Sequence, residues 1–290
     1  MKRLILNITL LVFIALGSMN AMAHDSTVKY GIAISHDGEQ IAYGKSGSGE
    51  TALIFIHGWS LDSRHWQNQV SEFSDQYQVI TMDLAGHGNS SFNREVYTMV
   101  AFAKDVKAVI EKEQLESVIL VGHSMAGGVI AEAAKLMPKR VKGIIGVDTS
   151  QNVALAVSQS DLDAMTKPFE VDFQAGITMF VKDSLPKDVD ADLLYWVTQD
   201  MASAPPAIAI NQFRHYLGQY VTGEAHRVYE NVNVPVILVN ARLWPTDSEA
   251  NKKHIKDYSI YYIEDSGHFP MLEQPQQFNT TLMKAVKSVK

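Results

Sequence analysis

The 290-residue sequence contains no cysteine. That excludes disulfides, thiolate metal sites and a cysteine nucleophile, and an oxidising compartment would cost the chain nothing. It also lacks any block of like charge. The 25 basic and 32 acidic residues are interspersed, and the formal net charge is −7. Nothing in that balance suggests nucleic acid or an anionic membrane surface as a partner. There is no internal repeat, no low-complexity tract and no second long apolar run. The first such run, Leu4 to Leu16, is broken only by Asn7 and Thr9. It follows Lys2 and Arg3 and precedes Ala21-Met22-Ala23, an A-x-A cleavage pattern. Charged start, short apolar stretch and small-residue site together read as a secretory signal peptide, too short for a comfortable membrane span. The expectation is a periplasmic or secreted protein beginning at His24, with no stable span after cleavage.

What is present is a rhythm of short apolar runs separated by helical patterns. Val28 to Ser35 and Gln40 to Gly44 read as a hairpin around His36-Asp37-Gly38, because Asp-Gly favours a tight turn. Ala52–Ile56, Gln78–Met82, Ser117–Val121, Val141–Asp148, Val234–Asn240 and Tyr258–Ile263 read as strands. Several are apolar at every position, as strands of a parallel sheet buried on both faces must be. Ser63 to Phe73 and Tyr97 to Glu113 read as helices, the second with Val100, Ala103, Val106, Val109 and Ile110 on one face. Strands alternating with helices imply an α/β fold with a mostly parallel, doubly wound sheet. Residues 149–232 interrupt the rhythm with helix-like segments and no convincing strand. They read as a helical cap inserted between core segments 24–148 and 233–290. An insert leaving a strand's C-terminal end lies over the edge where parallel sheets carry their sites. Among its apolar residues are Phe169, Phe173, Met179, Phe180, Leu194, Tyr195, Trp196, Met201, Phe213 and Tyr216. Most of these are expected to pack within the insert and only a few to face a ligand.

The whole is organised around Gly122-His123-Ser124-Met125-Ala126-Gly127-Gly128, between an apolar strand and a helix that stops before Pro138. Strand, sharp turn and helix make G-x-S-x-G a nucleophile elbow. Ser124 must adopt a strained backbone there, with small neighbours where strand and helix nearly touch. The amide of Met125, at the helix start, points to where an oxyanion would form. A serine hydroxyl needs a base within reach and a group that orients the base. Of the ten histidines, His268 is the best candidate, because its Gly-His loop follows the last strand. His57, His87 and His123 also sit at strand ends, where structural hydrogen bonds suit them better. The turn at His57-Gly58-Trp59 offers the Trp59 amide as a second oxyanion donor.

Four stretches occur together in the chain: His57-Gly58-Trp59; Asp83-Leu84-Ala85-Gly86-His87-Gly88; the Ser124 elbow; and Gly267-His268-Phe269-Pro270-Met271-Leu272-Glu273-Gln274-Pro275. With them the chain resembles the α/β-hydrolase superfamily from about Val28 to the C-terminus, least clearly in the insert. The resemblance implies Ser124 as nucleophile, His268 as base, and Trp59 and Met125 as oxyanion amides, with no cofactor and no chemical role for Asp83. It implies a serine hydrolase that cleaves a carboxylic ester or lactone through an acyl-enzyme; the tryptophan and methionine of the insert fit an apolar small-molecule substrate. The same motifs also serve carbon–carbon bond hydrolysis, cofactor-free perhydrolysis and non-catalytic ligand binding. The triad acid departs from the family pattern. Many relatives carry G-x-x-D after the penultimate strand, but here Asn240 replaces the glycine and Leu243 stands at the acid's place. Asp148, ending the strand after the elbow, and Asp247, in the expected loop but later, are the two candidates. Asp265 is a more distant third. Asp247 also lies in Thr246-Asp247-Ser248-Glu249, a helix-capping pattern.

Overall fold

Strand positions follow the apolar runs closely. In the computed structural model, which describes residues 27–289, eight strands form one sheet. They are β1 (Lys29–Ile34), β2 (Gln40–Ser46), β3 (Ala52–Ile56), β4 (Gln78–Met82), β5 (Val118–His123), β6 (Val141–Val147), β7 (Val236–Ala241) and β8 (Tyr258–Ile263). Their order across the sheet is β1-β2-β4-β3-β5-β6-β7-β8. The β1–β2 hairpin joins antiparallel to β4, and every other pairing is parallel. Strands β3, β5 and β7 are buried at every residue, which is why they read as continuous apolar runs. The proposed signal peptide, Met1–Ala23, lies outside the described residues. Among those residues no helix is long and apolar enough to cross a membrane.

Helices cover both faces. On one, α1 (Gln67–Phe73) packs against α10 (Pro270–Glu273) and α11 (Pro275–Ser288). On the other, α2 (Met99–Lys112) packs against α3 (Ala126–Leu136). Helix α2 starts two residues later than the sequence suggests, because the Thr98 hydroxyl caps it by accepting the Ala101 amide at 3.1 Å. Its buried face is Met99, Phe102, Ala103, Val106, Val109 and Ile110, whereas Val100 is exposed. The packed stripe is centred on Phe102, Ala103 and Val106, and Val100 lies off it at helical spacing.

Between β6 and β7 lie helices only: α4 (Gln159–Val171), α5 (Phe173–Ser184), α6 (Ala191–Ala202), α7 (Pro206–Val221) and α8 (Glu224–Glu230). Helix α4 packs on α5 and α7, and α5 on α6. Helix α8 returns to the core and lies against α3 and against α9 (Ser248–His254). From β3 the chain moves outward to β4 and then crosses to β5 on β3's other side. The C-terminal ends of β3 and β5 therefore flank a topological switch point, where open α/β sheets form their crevice.

Candidate active site

Ser124 follows β5 at that crevice, with φ +53°. A non-glycine residue in the left-handed region costs about 1–3 kcal/mol and persists only when its surroundings over-determine it. Here the Ser124 amide donates to Val147 O at 3.0 Å. Its carbonyl accepts from the Gly127 amide at 2.9 Å and from Thr149 Oγ1 at 2.6 Å. Gly127 has to be glycine, because a Cβ there would sit 2.3 Å from Thr149 Oγ1. The turn is thus held by backbone and hydroxyl contacts that no larger residue would permit.

His268 Nε2 lies 2.9 Å from Ser124 Oγ, and its Nδ1 lies 2.6 Å from Asp148 Oδ2. The other Asp148 oxygen accepts the Ala241 amide at 2.9 Å, and the Asp148 amide donates to Val239 O. Asp148 is 1% exposed and has φ +40°. One of its oxygens is thereby fixed to the backbone of β7 and the other faces the imidazole. With Nδ1–H donating to Asp148, Nε2 keeps its lone pair for the Ser124 hydroxyl.

Asp247 is elsewhere. It is exposed and caps α9 by accepting the Ala250 amide at 2.9 Å, with Asn152 Nδ2 at 3.3 Å from its other oxygen. Asp265 is exposed as well. Asn240, in place of the family's glycine, braces the Asp148 loop. Its Nδ2 donates to Thr149 O at 2.9 Å, and its Oδ1 accepts the Thr149 amide at 3.2 Å.

His268 has to reach from the edge strand β8 across β7 and β6, and three groups hold its loop there. Glu273 accepts the amides of Gly267 and Phe269, both at 2.7 Å. The His268 amide donates to Ser184 O, at the end of α5, at 2.7 Å. His123 Nε2 donates to the His268 carbonyl at 2.7 Å. Burial, with His268 nearby, holds the His123 imidazole well below its ordinary pKa, so it serves as a neutral donor. Burial also pushes the Glu273 carboxyl up, against the two amides that favour its charge. The Glu273 clamp was not legible as a role in the sequence, although the residue belongs to the motif at residues 267–275.

The β3 turn approaches from the other side. A Cβ on Gly58 would lie 3.1 Å from Ser124 Cβ and 2.8 Å from His123 Nδ1, so only glycine lets this loop come so close. Trp59 and Met125 both border the cavity beside Ser124. His57 and His87 serve the loops: His57 Nδ1 donates to Gly58 O, and its Nε2 accepts the Leu84 amide. Burial lowers the pKa of both, that of His87 to about 3. Asp83 accepts the Ser63 and Asn89 amides, tying two loops together.

A sequence profile described as "Alpha/beta hydrolase family" matches residues 53–281. The chain belongs to that family. A stretch of 108 residues is 35% identical to the dihydrolipoyllysine-residue acetyltransferase component of an acetoin cleaving system from Cupriavidus necator, covering 37% of this chain but only 29% of that protein. Over 263 residues the chain is 26% identical to karrikin insensitive 2 receptor CA of Petunia hybrida, covering 83% of this chain and 93% of the receptor. Among solved structures, a thermophilic esterase from Thermogutta terrifontis has the same fold. Its TM-score is 0.77 at 22% identity, over 90% of this chain and 99% of that one.

In this α/β hydrolase the cap and the loop tips enclose a cavity of about 410 Å³ over Ser124. Phe180, Met201, Phe213 and Tyr216, from the insert's apolar set, line it, joined by Leu155, Met165, Leu217 and Trp244. Gln151 and Asn152 are among its few polar neighbours. Met179 and Tyr195 are exposed on the cap's outside. Phe169 and Phe173 pack on Trp59, whose indole also stacks on Phe213 at 4.5 Å and donates to Ala209 O at 2.7 Å. Trp59 therefore ties the β3 turn to the cap. Trp244, which carried no signal as a site residue, places its ring 4.5 Å from that of His268.

Proposed function

We propose that this α/β hydrolase is a serine esterase in which Ser124, His268 and Asp148 form the catalytic triad. The observation that carries the reading is the continuous hydrogen-bonded chain from Ser124 Oγ through the imidazole to Asp148, opening into an apolar cavity. In the first step Ser124 Oγ bonds to the acyl carbon while its proton passes to His268 Nε2. Asp148 stabilises the imidazolium and holds its tautomer. The carbonyl oxygen becomes an oxyanion facing the Trp59 and Met125 amides. Collapse breaks the ester C–O bond, and the departing alkoxide takes the proton from Nε2. A water, deprotonated by the same nitrogen, then releases the acid and restores Ser124. The cavity favours a small apolar acyl or alcohol group. Met1–Ala23 completes the reading as a secretory leader, and N-terminal sequencing of the exported protein should begin at His24.

The test is turnover of p-nitrophenyl acetate and butyrate beside Ser124→Ala. Loss of activity by about 10³-fold or more is expected. Undiminished turnover in the variant would remove the reading. A second reading draws on the similarity to a karrikin insensitive 2 receptor: a ligand-binding protein that retains the triad. A fluorophosphonate probe that fails to label folded protein, with no turnover of either ester, would favour it.

A further inference from the structure

Among the described residues, three groups of histidine and carboxylate side chains lie close enough to share an ion: Asp62, His65 and Asp200; His36, Asp37 and Asp105; and His226, Glu230 and His254. In the first, the Arg64 guanidinium already donates to both aspartates. In the second, Arg94 bridges Asp37 and Asp105. A metal ion entering either would have to displace a fixed cation. The third differs. Its neighbouring Arg227 is bonded elsewhere, donating to Thr222 O at 2.7 Å and lying 3.6 Å from Glu224.

We propose that His226, Glu230 and His254 form a binding site for a zinc-type divalent transition metal ion, away from the catalytic cavity. His226 and Glu230 are four residues apart on α8, so they project from one face of the helix. His254 is the last residue of α9, which packs on α8. His254 Nδ1 lies 2.7 Å from Glu230 Oε1, and the two imidazole rings are 4.6 Å apart between centroids. One donor atom from each residue falls within 4.8 Å of the others. Tetrahedral zinc, with bonds of about 2.0–2.2 Å, needs its ligands about 3.4 Å apart. Small side-chain rotations cover that difference. Two imidazoles and a carboxylate are a donor set that zinc favours, and partial exposure of Glu230 (43%) and His254 (22%) leaves a face open for water as the fourth ligand. On binding, His254 shifts its proton to Nε2 and offers the Nδ1 lone pair in place of its hydrogen bond to Glu230. The ion then staples together the two helices on either side of β7. Within α8, Tyr229 hydrogen-bonds Gly127 O and Ser150 Oγ, so the staple secures the root of the cap without entering the cavity.

The test titrates zinc chloride into chelator-treated full-length protein by calorimetry, with thermal melts alongside. One ion per chain is expected, with the melting temperature raised by about 5–10 °C at a hundredfold excess over the dissociation constant. His226→Ala and His254→Ala should each weaken binding by about 100-fold or more and leave esterase activity unchanged. His226→Ala should also leave the metal-free melt unchanged, whereas His254→Ala, which loses its hydrogen bond to Glu230, should lower it slightly. Cobalt substitution should give a tetrahedral absorption spectrum that both variants lose. Zinc binding that persists unaltered in both variants, or no saturable binding by the parent, would overturn the proposal. If either alanine variant fails to fold, His254→Gln preserves a donor to Glu230 and carries the same comparison.

Discussion

Two aspartates stand at neighbouring strand ends, and their environments are opposite. Asp148, after β6, is buried, sits in left-handed backbone and divides its oxygens between the Ala241 amide and the His268 ring. Asp247, after β7, is exposed, has φ −83° and uses an oxygen to cap a helix. A carboxylate in water is solvated from every side and exerts little force on a distant imidazole. One buried beside the ring, with its remaining oxygen satisfied by an amide, acts at short range and low dielectric. Sequence position favoured both nearly equally. Burial and contact with the His268 ring distinguish them.

The largest effect that sharpens this contrast is expected of Asp148→Asn. The amide cannot hold the Nδ1–H tautomer as a carboxylate does, so kcat/KM for p-nitrophenyl butyrate should fall by about 10³–10⁴-fold. Parent-like turnover would mean that the Asp148–His268 contact is only structural. Next comes Glu273→Gln. A glutamine presents one oxygen to two amides and sets its own NH2 against the other, so the His268 loop loses a clamp. We expect kcat to drop by about 10–100-fold, with KM little changed, since displacing a reacting group by about 1 Å can cost that much. Asp247→Ala should leave kcat/KM unchanged. It removes a helix cap worth about 1 kcal/mol, so calorimetry should show a melting temperature lower by about 2–4 °C. A kinetic defect in that variant would break the comparison. The smallest effect is expected of Leu243→Asp placed in the Asp148→Asn background. Leu243 occupies the acid position of many relatives, yet it is 39% exposed and borders a separate surface depression with Pro186 and Glu264. The double variant should regain no activity, and recovery would show that the β7 loop can still deliver an acid to His268.

How much could be read in advance follows the same division. Strands β3, β4 and β8 match their expected bounds end to end: β3 because a strand buried on both faces has nowhere to place a polar residue, and the half-buried edge strand β8 through its run of tyrosine and isoleucine. The Ser124 elbow was legible because apolar strand, glycine-flanked serine and helix follow one another without a gap, with Gly122 required by Ala126 and Ile130 a few residues on, and the His268 loop because it follows the last strand. On α2 the buried stripe is centred on Phe102, Ala103 and Val106 and takes in Met99 rather than Val100, because the rotation of the helix is set by what it packs against, which the apolar pattern alone leaves open by a residue. The clamp on His268 was not legible. Ser184 and His123 lie 84 and 145 positions from His268 in the chain, and nothing local marks them as its partners.

The sequence by itself determined the α/β alternation, the place of the serine turn and the histidine loop, and the chain's independence of disulfides. Each of these rests on short-range patterning: side-chain period, glycine at tight turns, and the types of residue present or absent. Only the tertiary structure decided which aspartate meets His268, which cap side chains face Ser124, and that His226, Glu230 and His254 converge. Those are contacts between residues far apart in the chain. They depend on strand order, on helix rotation and on which side chains are shut away from water, and no local pattern encodes any of the three.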